Sequence, residues 1–233
     1  MTQTPINSSI HRLLAVSVAL LVLSPAAFSQ AAVAAPGGDP VKGEQKASMC
    51  IGCHGIVGYQ ASFPVVYKVP MISGQNAEYI VAALAAYKKG ERKHPTMRAI
   101  AGSMNDADMA DLAAFYHQQN ASSIKPVADA PPQAPAAVEA LLTKGVCASC
   151  HGANYSKPIN AAYPKLAGQH GDYLTMSLRS YKTEGNPNLG RANAIMGAQV
   201  KQFSLQELKT IGEYLSTLPS ELRVVPQARF IAH

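Results

Sequence analysis

Apolar residues recur at helical spacing in several short stretches of the chain, and capping signals precede the clearest of them. Residues 105–108 (Asn-Asp-Ala-Asp) and 204–207 (Ser-Leu-Gln-Glu) have the form of capping boxes. Apolar residues follow each box at spacings of three or four, as on one face of a helix. Asp39 and Pro40 likewise suit an N-cap and a first helical turn. The pattern predicts a helix directly after each of these three signals.

Three further stretches have the spacing of amphipathic helices, namely 76–89, 136–144 and 171–183. Alanine, the strongest helix former, is abundant, and runs of alternating β-branched residues are scarce. We therefore predict an all-α fold with little strand.

The first 34 residues have the organisation of an export signal. Arg12 precedes an apolar run over 13–23, and small residues suited to signal peptidase follow. The alternative is a membrane anchor, but a run of about 11 apolar residues falls short of the roughly 20 that a spanning helix needs. We predict a cleaved signal peptide over 1–34 and an exported, soluble mature protein.

All four cysteines fall in two copies of one motif, C-x-x-C-H. The motif residues are Cys50, Cys53, His54, Cys147, Cys150 and His151. Two thiols at this spacing on a helical turn can bond both vinyl groups of one haem, and the histidine that follows is placed to ligate the iron. The motifs predict two covalently bound haem c groups, with the histidines as axial ligands.

Three other sites use the same atoms: a pair of disulfides, a four-cysteine zinc site and a thioredoxin-like redox pair. Disulfides do not require a histidine after each pair. Zinc-binding pairs usually lie closer along the chain than residues 50 and 147, and a thioredoxin-like site needs a strand-to-helix turn that the sequence does not indicate. Haem attachment is the favoured interpretation.

The chain also contains an internal repeat. Residues 74–90 align with 168–185, and the residues that follow Met97 align with those that follow Met196. The second copy carries an insertion at 186–193. The predicted domains are a signal peptide (1–34), an N-terminal haem domain (36–123), a Pro- and Ala-rich linker (124–136) and a C-terminal haem domain (137–233). In each domain we expect three short helices around the haem.

The repeat indicates a second axial ligand for each iron. Of the eight methionines, only Met97 and Met196 occupy equivalent positions in the two copies, whereas no two distal histidines do. We predict that these two methionines ligate the irons, which would make both haems electron-transfer sites. The alternative is that both are core methionines.

An arginine lies five residues before each of these methionines, Arg92 in the first copy and Arg191 in the second. An arginine so close to an iron ligand is well placed to pair with a haem propionate. The alternative is a solvated surface arginine.

Composition and charge narrow the range of partners. The chain is 48% hydrophobic and 15% charged, as expected of a folded globular protein. Its net charge is +6, but no Lys/Arg cluster with interleaved aromatic residues is present. We therefore expect redox proteins, with acidic docking faces, rather than nucleic acid as partners.

From residue 36 to its end the chain resembles the dihaem cytochrome c4 family. The resemblance rests on the two C-x-x-C-H motifs, the paired G-Q-x-x-x-Y and R-x-x-x-x-M segments and the Pro-rich linker. It implies class I cytochrome c domains with His/Met iron, in which the carbonyls of Pro70 and Pro164 accept hydrogen bonds from the proximal histidines. It also implies a periplasmic carrier, in peripheral association with the membrane, that serves a terminal oxidase or another respiratory partner.

Outer-sphere electron transfer between respiratory partners is the predicted function, with no catalysed reaction. Donors and acceptors would be a quinol-oxidising complex, a dehydrogenase, and a terminal oxidase or reductase. One alternative is a cytochrome subunit of a larger dehydrogenase, which would supply its own catalytic centre because the chain has no Gly-rich nucleotide motif. A less favoured alternative is a dihaem peroxidase, which would need one open iron.

Overall fold

The computed structural model describes residues 1–2, 37–119, 126–130 and 133–226. All but two residues of the predicted signal peptide, and part of the predicted linker, lie outside the described residues. From residue 37 onward the described residues belong to one compact unit.

The structure is all-α, as predicted, and five helices are described in each half. In the N-terminal half they are α1 (Pro40–Lys46), α2 (Ser48–His54), α3 (Ala77–Lys89), α4 (Pro95–Gly102) and α5 (Asp106–Gln118). In the C-terminal half they are α6 (Ala136–Lys144), α7 (Ala148–His151), α8 (Gly171–Ser180), α9 (Ala194–Lys201) and α10 (Leu205–Ser216).

The capping signals are confirmed. The Asp39 side chain accepts from the first backbone N–H groups of α1, and both predicted capping boxes are formed at the starts of α5 and α10. Each box satisfies N–H groups that the helix itself leaves unpaired.

The predicted count of three helices in each half is wrong, because the sequence pattern did not indicate α4 and α9 and did not separate α2 and α7 from the helices that precede them. Helices α4 and α9 each have only eight residues, too few for an apolar period to be recognised. The predicted helix over 171–183 is also too long, since α8 ends at Ser180.

Each half has its own hydrophobic core. Helix α5 packs against α1 and α3, and helix α10 packs against α8 and α6. Buried apolar side chains form one cluster in each half. The N-terminal cluster consists of Ala47, Ile51, Ile80, Leu84, Ala101, Met104, Met109, Leu112, Ala113, Phe115 and Tyr116. The C-terminal cluster consists of Ala134, Val138, Leu142, Tyr155, Ala167, Leu174, Val200, Phe203, Leu208, Ile211, Leu215 and Leu218. Met109 and Leu208, each 1% exposed, lie at equivalent positions in the two clusters.

Short strands form two small sheets. Strands β1 (Gln60–Ala61) and β2 (Tyr67–Lys68) form a hairpin in the N-terminal half. Strands β3 (Arg92–Lys93) and β4 (Gly190–Arg191) pair antiparallel across the two halves, with Arg92 opposite Arg191. Strand β4 lies within the stretch 186–193, and its Arg191 is the repeat equivalent of Arg92 in β3.

No helix among the described residues is long and apolar enough to cross a membrane.

Candidate haem sites

The two cysteine motifs lie on helices, as haem attachment requires. Helix α2 carries the first motif and α7 carries the end of the second. Cys50 packs against the N-terminal cluster and Cys147 against the C-terminal cluster. Burial raises the pKa of both thiols. Each motif thus presents one cysteine to the core of its own half.

The alternative sites for these cysteines are not supported by the structure. All four cysteines are free thiols. Within the described ranges, no three His, Cys, Asp or Glu side chains are grouped closely enough to hold a metal ion. The two pairs therefore do not converge on a four-cysteine zinc site.

Both motif histidines are oriented by the hydrogen bonds that the family resemblance implies. The Nδ1–H of His54 donates to the carbonyl oxygen of Pro70 (2.8 Å), and that of His151 donates to the carbonyl oxygen of Pro164 (3.2 Å). Burial lowers the pKa of both imidazoles, which favours the neutral form. A neutral imidazole that donates through Nδ1 has its Nε2 lone pair free for a metal, and the carbonyl raises its basicity as a ligand.

Each candidate methionine lies in the first turn of a short, N-capped helix. In α4 the His94 side chain accepts a hydrogen bond from the backbone N–H of Met97 (3.3 Å). In α9 the Asn193 side chain accepts from the N–H of Met196 (2.9 Å). His94 and Asn193 occupy equivalent positions, and sequence reasoning missed their role although asparagine is a favoured N-cap.

Each methionine also packs against the same hydrophobic cluster as the first cysteine of its own half. Met97 and Cys50 contact the N-terminal cluster, while Met196 and Cys147 contact the C-terminal cluster. The same core therefore supports the attachment residue and the predicted second ligand.

The two arginines lie together between the halves rather than on separate solvated surfaces. Arg92 donates to the hydroxyls of Tyr79 and Tyr173, at 3.2 Å each. Arg191 donates to the same Tyr173 hydroxyl (3.1 Å) and to Ser177 Oγ (2.7 Å). One phenol thus bridges two guanidinium groups, which the pairing of β3 with β4 brings together.

This arginine pair is positively charged and lacks an acidic partner. Among the described residues neither arginine forms a salt bridge, and the Nε of Arg92 is buried without a hydrogen-bond partner. Burial alone would raise the pKa of Tyr173, but the two arginines more than offset it and lower that pKa to about 7. An anion such as a haem propionate fits this place, because it would supply the missing charge and hydrogen-bond acceptor.

Short helices around C-x-x-C-H motifs, with each histidine held by a proline carbonyl, define a c-type cytochrome. The cytochrome c family model matches residues 136–219. Proteins of this class carry covalently attached haem c and transfer electrons.

Similar proteins identify the family more closely. The chain is 32% identical to cytochrome c4 of Thiocapsa roseopersicina over 190 residues, which cover 78% of this chain and 93% of that protein. It is 30% identical to cytochrome c4 of Azotobacter vinelandii over 197 residues, covering 78% of this chain and 90% of that protein. The chain belongs to the cytochrome c4 family.

A solved structure and a relative with a different description are also similar to this chain. The cytochrome c4 structure of Acidithiobacillus ferrooxidans matches with a TM-score of 0.56 and 26% identity, covering 74% of this chain and 99% of that one. A protein of Stutzerimonas stutzeri described as a thiosulfate dehydrogenase electron acceptor is 28% identical over 221 residues, which cover 90% of this chain and 96% of that protein.

Proposed function

We propose that the chain is a periplasmic electron carrier with two covalently bound haem c groups. It would take electrons from a dehydrogenase or a quinol-oxidising complex and deliver them to a terminal oxidase or reductase. The observation that supports this best is the duplication of the site: each half has its own attachment motif, carbonyl-anchored histidine and methionine on a capped helix.

The haem iron would supply reversible one-electron oxidation and reduction. The chain's own residues would set the conditions for it. His54 and His151 would ligate through Nε2, and Met97 and Met196 through their thioethers. A His/Met pair favours ferrous iron and so raises the reduction potential, while a filled sixth position excludes external ligands.

A dehydrogenase is supported as an electron donor by the similarity to the thiosulfate dehydrogenase electron acceptor. The loop after the first motif also suits transient docking of a protein. Its large apolar side chains Ile56, Val57, Phe63 and Val66 are exposed, and no charged residue lies between Ile56 and Tyr67. Exposed apolar groups of this kind often mark protein interaction sites.

The same similarity favours a second candidate, in which the chain is a permanent cytochrome subunit of a dehydrogenase complex. Purification of the native protein distinguishes the two. A stable subunit would copurify stoichiometrically with a second polypeptide, whereas a free carrier would not. A dihaem peroxidase is disfavoured because both halves carry the capped methionine helix.

An optical redox titration of the purified holoprotein tests the proposal, with carbon monoxide added to the reduced form. Two high-potential haems that both fail to bind carbon monoxide are the expected result. Binding at one native haem would mean an open iron and would contradict the carrier role. The content of covalent haem per chain gives the haem count, and periplasmic fractionation tests the location.

A further inference from the structure

Two buried glutamines cross between the halves, and we propose that each one positions the proximal histidine of the opposite half. Gln75 would act on His151, and Gln169 would act on His54. The inference rests on the proposed function, since it takes these histidines as iron ligands. Among the described residues neither glutamine forms a hydrogen bond with His54 or His151, whose ring nitrogens bind the carbonyls of Pro70 and Pro164, so both glutamines are positioning residues.

The contacts are reciprocal. The Gln169 side chain accepts from the backbone N–H of Met71 (3.0 Å) and donates to the Met71 carbonyl (2.8 Å). The Gln75 side chain accepts from the N–H of Lys165 (2.9 Å) and donates to the Lys165 carbonyl (3.0 Å). Each half therefore gives one amide side chain to the backbone of the other.

These contacts reach the peptide groups that orient the histidines. The carbonyl of Pro70, which accepts from His54, shares one peptide unit with the N–H of Met71. The carbonyl of Pro164 and the N–H of Lys165 are related in the same way. Because a peptide unit is planar and rigid, a glutamine that holds its N–H also fixes the direction of its carbonyl.

The arrangement is also a chain of hydrogen bonds. When a glutamine oxygen accepts the N–H of a peptide unit, it polarises that unit and makes its carbonyl a better acceptor. The carbonyl then withdraws the Nδ1 proton of the histidine more strongly, which raises the basicity of the imidazole as a ligand. A more basic imidazole stabilises ferric iron, so the contact lowers the reduction potential of the haem in the opposite half.

Both glutamines are held firmly enough for this role. Each is 3% exposed. The side-chain oxygen of Gln75 also accepts from the N–H of Asn76 (2.9 Å), and that of Gln169 accepts from the N–H of His170 (3.0 Å). The glycine before each glutamine has a positive φ, +83° and +68°, a conformation that glycine adopts without strain.

The test measures the two haem potentials separately in Gln75→Met and Gln169→Met holoprotein. Methionine is close in length to glutamine but lacks the amide. Paramagnetically shifted proton NMR signals resolve the two haems during a redox titration, and Met97→Ala identifies the signals of the N-terminal haem. Gln75→Met should raise the potential of the C-terminal haem, and Gln169→Met that of the N-terminal haem.

Asn76→Ala is the matched control. It removes another hydrogen bond between the halves, from the Asn76 side chain to the Tyr163 carbonyl (3.1 Å). This bond does not involve the Pro70–Met71 or the Pro164–Lys165 peptide unit. It should leave both potentials close to those of the unsubstituted protein. A similar shift in this control would mean that the glutamines only hold the halves together.

The inference is wrong if a glutamine substitution shifts the reduction potential of the haem in its own half. It is also wrong if the substitution shifts both potentials equally or shifts neither. If the methionine variants do not incorporate haem, Gln75→Glu and Gln169→Glu are measured under the same criteria. Their carboxylates keep an acceptor for the same N–H, so the opposite haem's potential should fall. The unsubstituted protein, titrated with carbon monoxide alongside, reports separately on the proposed function.

Discussion

The candidate iron ligands are held by different local interactions, and this difference decides what a single substitution should do. His54, which is half-buried, is fixed by its hydrogen bond to Pro70. Met97 is placed by the start of a capped helix and by contact with the N-terminal cluster. Among the described residues the Met97 side chain makes no hydrogen bond, so its truncation should remove the thioether and some packing against this cluster but no polar contact.

Met97→Ala should therefore lower the potential of the N-terminal haem and allow its reduced form to bind carbon monoxide. The reason is the loss of the thioether, which favours ferrous iron and occupies the sixth position. Optical titration with and without carbon monoxide measures both effects, and Met196→Ala should act on the C-terminal haem in the same way.

Met104→Leu provides the control, since Met104 is buried in the N-terminal cluster but is not a predicted ligand. It should cost less than about 1.5 kcal/mol of stability, as for other volume-conserving swaps, and should not admit carbon monoxide. Unchanged potential and unchanged ligand exclusion in Met97→Ala would refute the assignment of that methionine.

Among the helices, α1 and α5 make an unusually close contact. A Cβ on Gly43 would lie 2.0 Å from the carbonyl oxygen of Asp111 and 2.8 Å from Cβ of Phe115. The side chain of Asp111 also accepts from the backbone N–H of Asp39, at the start of α1 (2.8 Å). These contacts place α1 against α5, and α1 leads directly into the first haem-attachment motif.

Gly43→Ala should destabilise the holoprotein by about 1–3 kcal/mol, because the added methyl group must displace backbone atoms of α5. Denaturant unfolding followed by circular dichroism measures the loss. Gly102→Ala is the control, since a Cβ there would meet nothing within 4 Å. If Gly43→Ala and Gly102→Ala have equal free energies of unfolding, α1 can move away from α5 without loss of stability, and the prediction is wrong.

An ion pair between Lys46 of α1 and Asp111 of α5 predicts that the stability of the protein depends on pH. Lys46 Nζ lies 2.7 Å from an oxygen of Asp111, and this hydrogen bond, followed by that from Asp39, lowers the pKa of Asp111 below its ordinary 3.8. The unfolded chain then binds the proton more tightly than the folded one. The stabilisation is therefore complete above about pH 4 and is lost as the pH falls through the lower folded pKa.

Asp111→Asn should reduce the free energy of unfolding at neutral pH and flatten its decline in acid. Urea unfolding over a pH series measures this slope. Asp106→Asn, at an exposed position of the same helix, leaves the contacts of Lys46 intact and should retain the acid dependence of the unsubstituted protein. An unaltered slope in Asp111→Asn would contradict the prediction.

At the scale of the whole molecule, the two halves share more than a linker. Strand β3 pairs with β4, and a small cluster of Tyr67, Tyr173, Met176 and Leu189 packs residues of both halves together. Taken over both halves, however, the described helices have only 4 to 13 residues. Helices this short are marginal in isolation and depend on tertiary packing.

Chain prepared without haem should therefore be largely unfolded, because much of the apolar surface that each half packs against would be missing. Far-UV circular dichroism of protein expressed without the haem-attachment machinery checks this. Holoprotein that is expressed with this machinery and purified by the same procedure is the control. A native-like helical spectrum of the haem-free chain would contradict the expectation.

The fold class, the family and covalent haem attachment could be predicted from the sequence, because they are encoded in short, local patterns. The C-x-x-C-H motifs, the capping boxes and the internal repeat need only neighbouring residues or a comparison of the chain with itself. They predicted the all-α fold and the family. The number of haems and the roles of all the site residues remain predictions; these residues are the four cysteines, His54, His151, Met97, Met196, Arg92 and Arg191.

Only the tertiary structure decided how the two halves depend on each other. The sequence aligns Arg92 with Arg191 as equivalent residues of separate domains, but the pairing of β3 with β4 brings them side by side around one tyrosine. It likewise aligns Gln75 with Gln169 without indicating that each binds the other half. Alignment of the two copies shows which positions are equivalent, but it does not show which residues meet across the interface, because that depends on how the two halves pack in three dimensions.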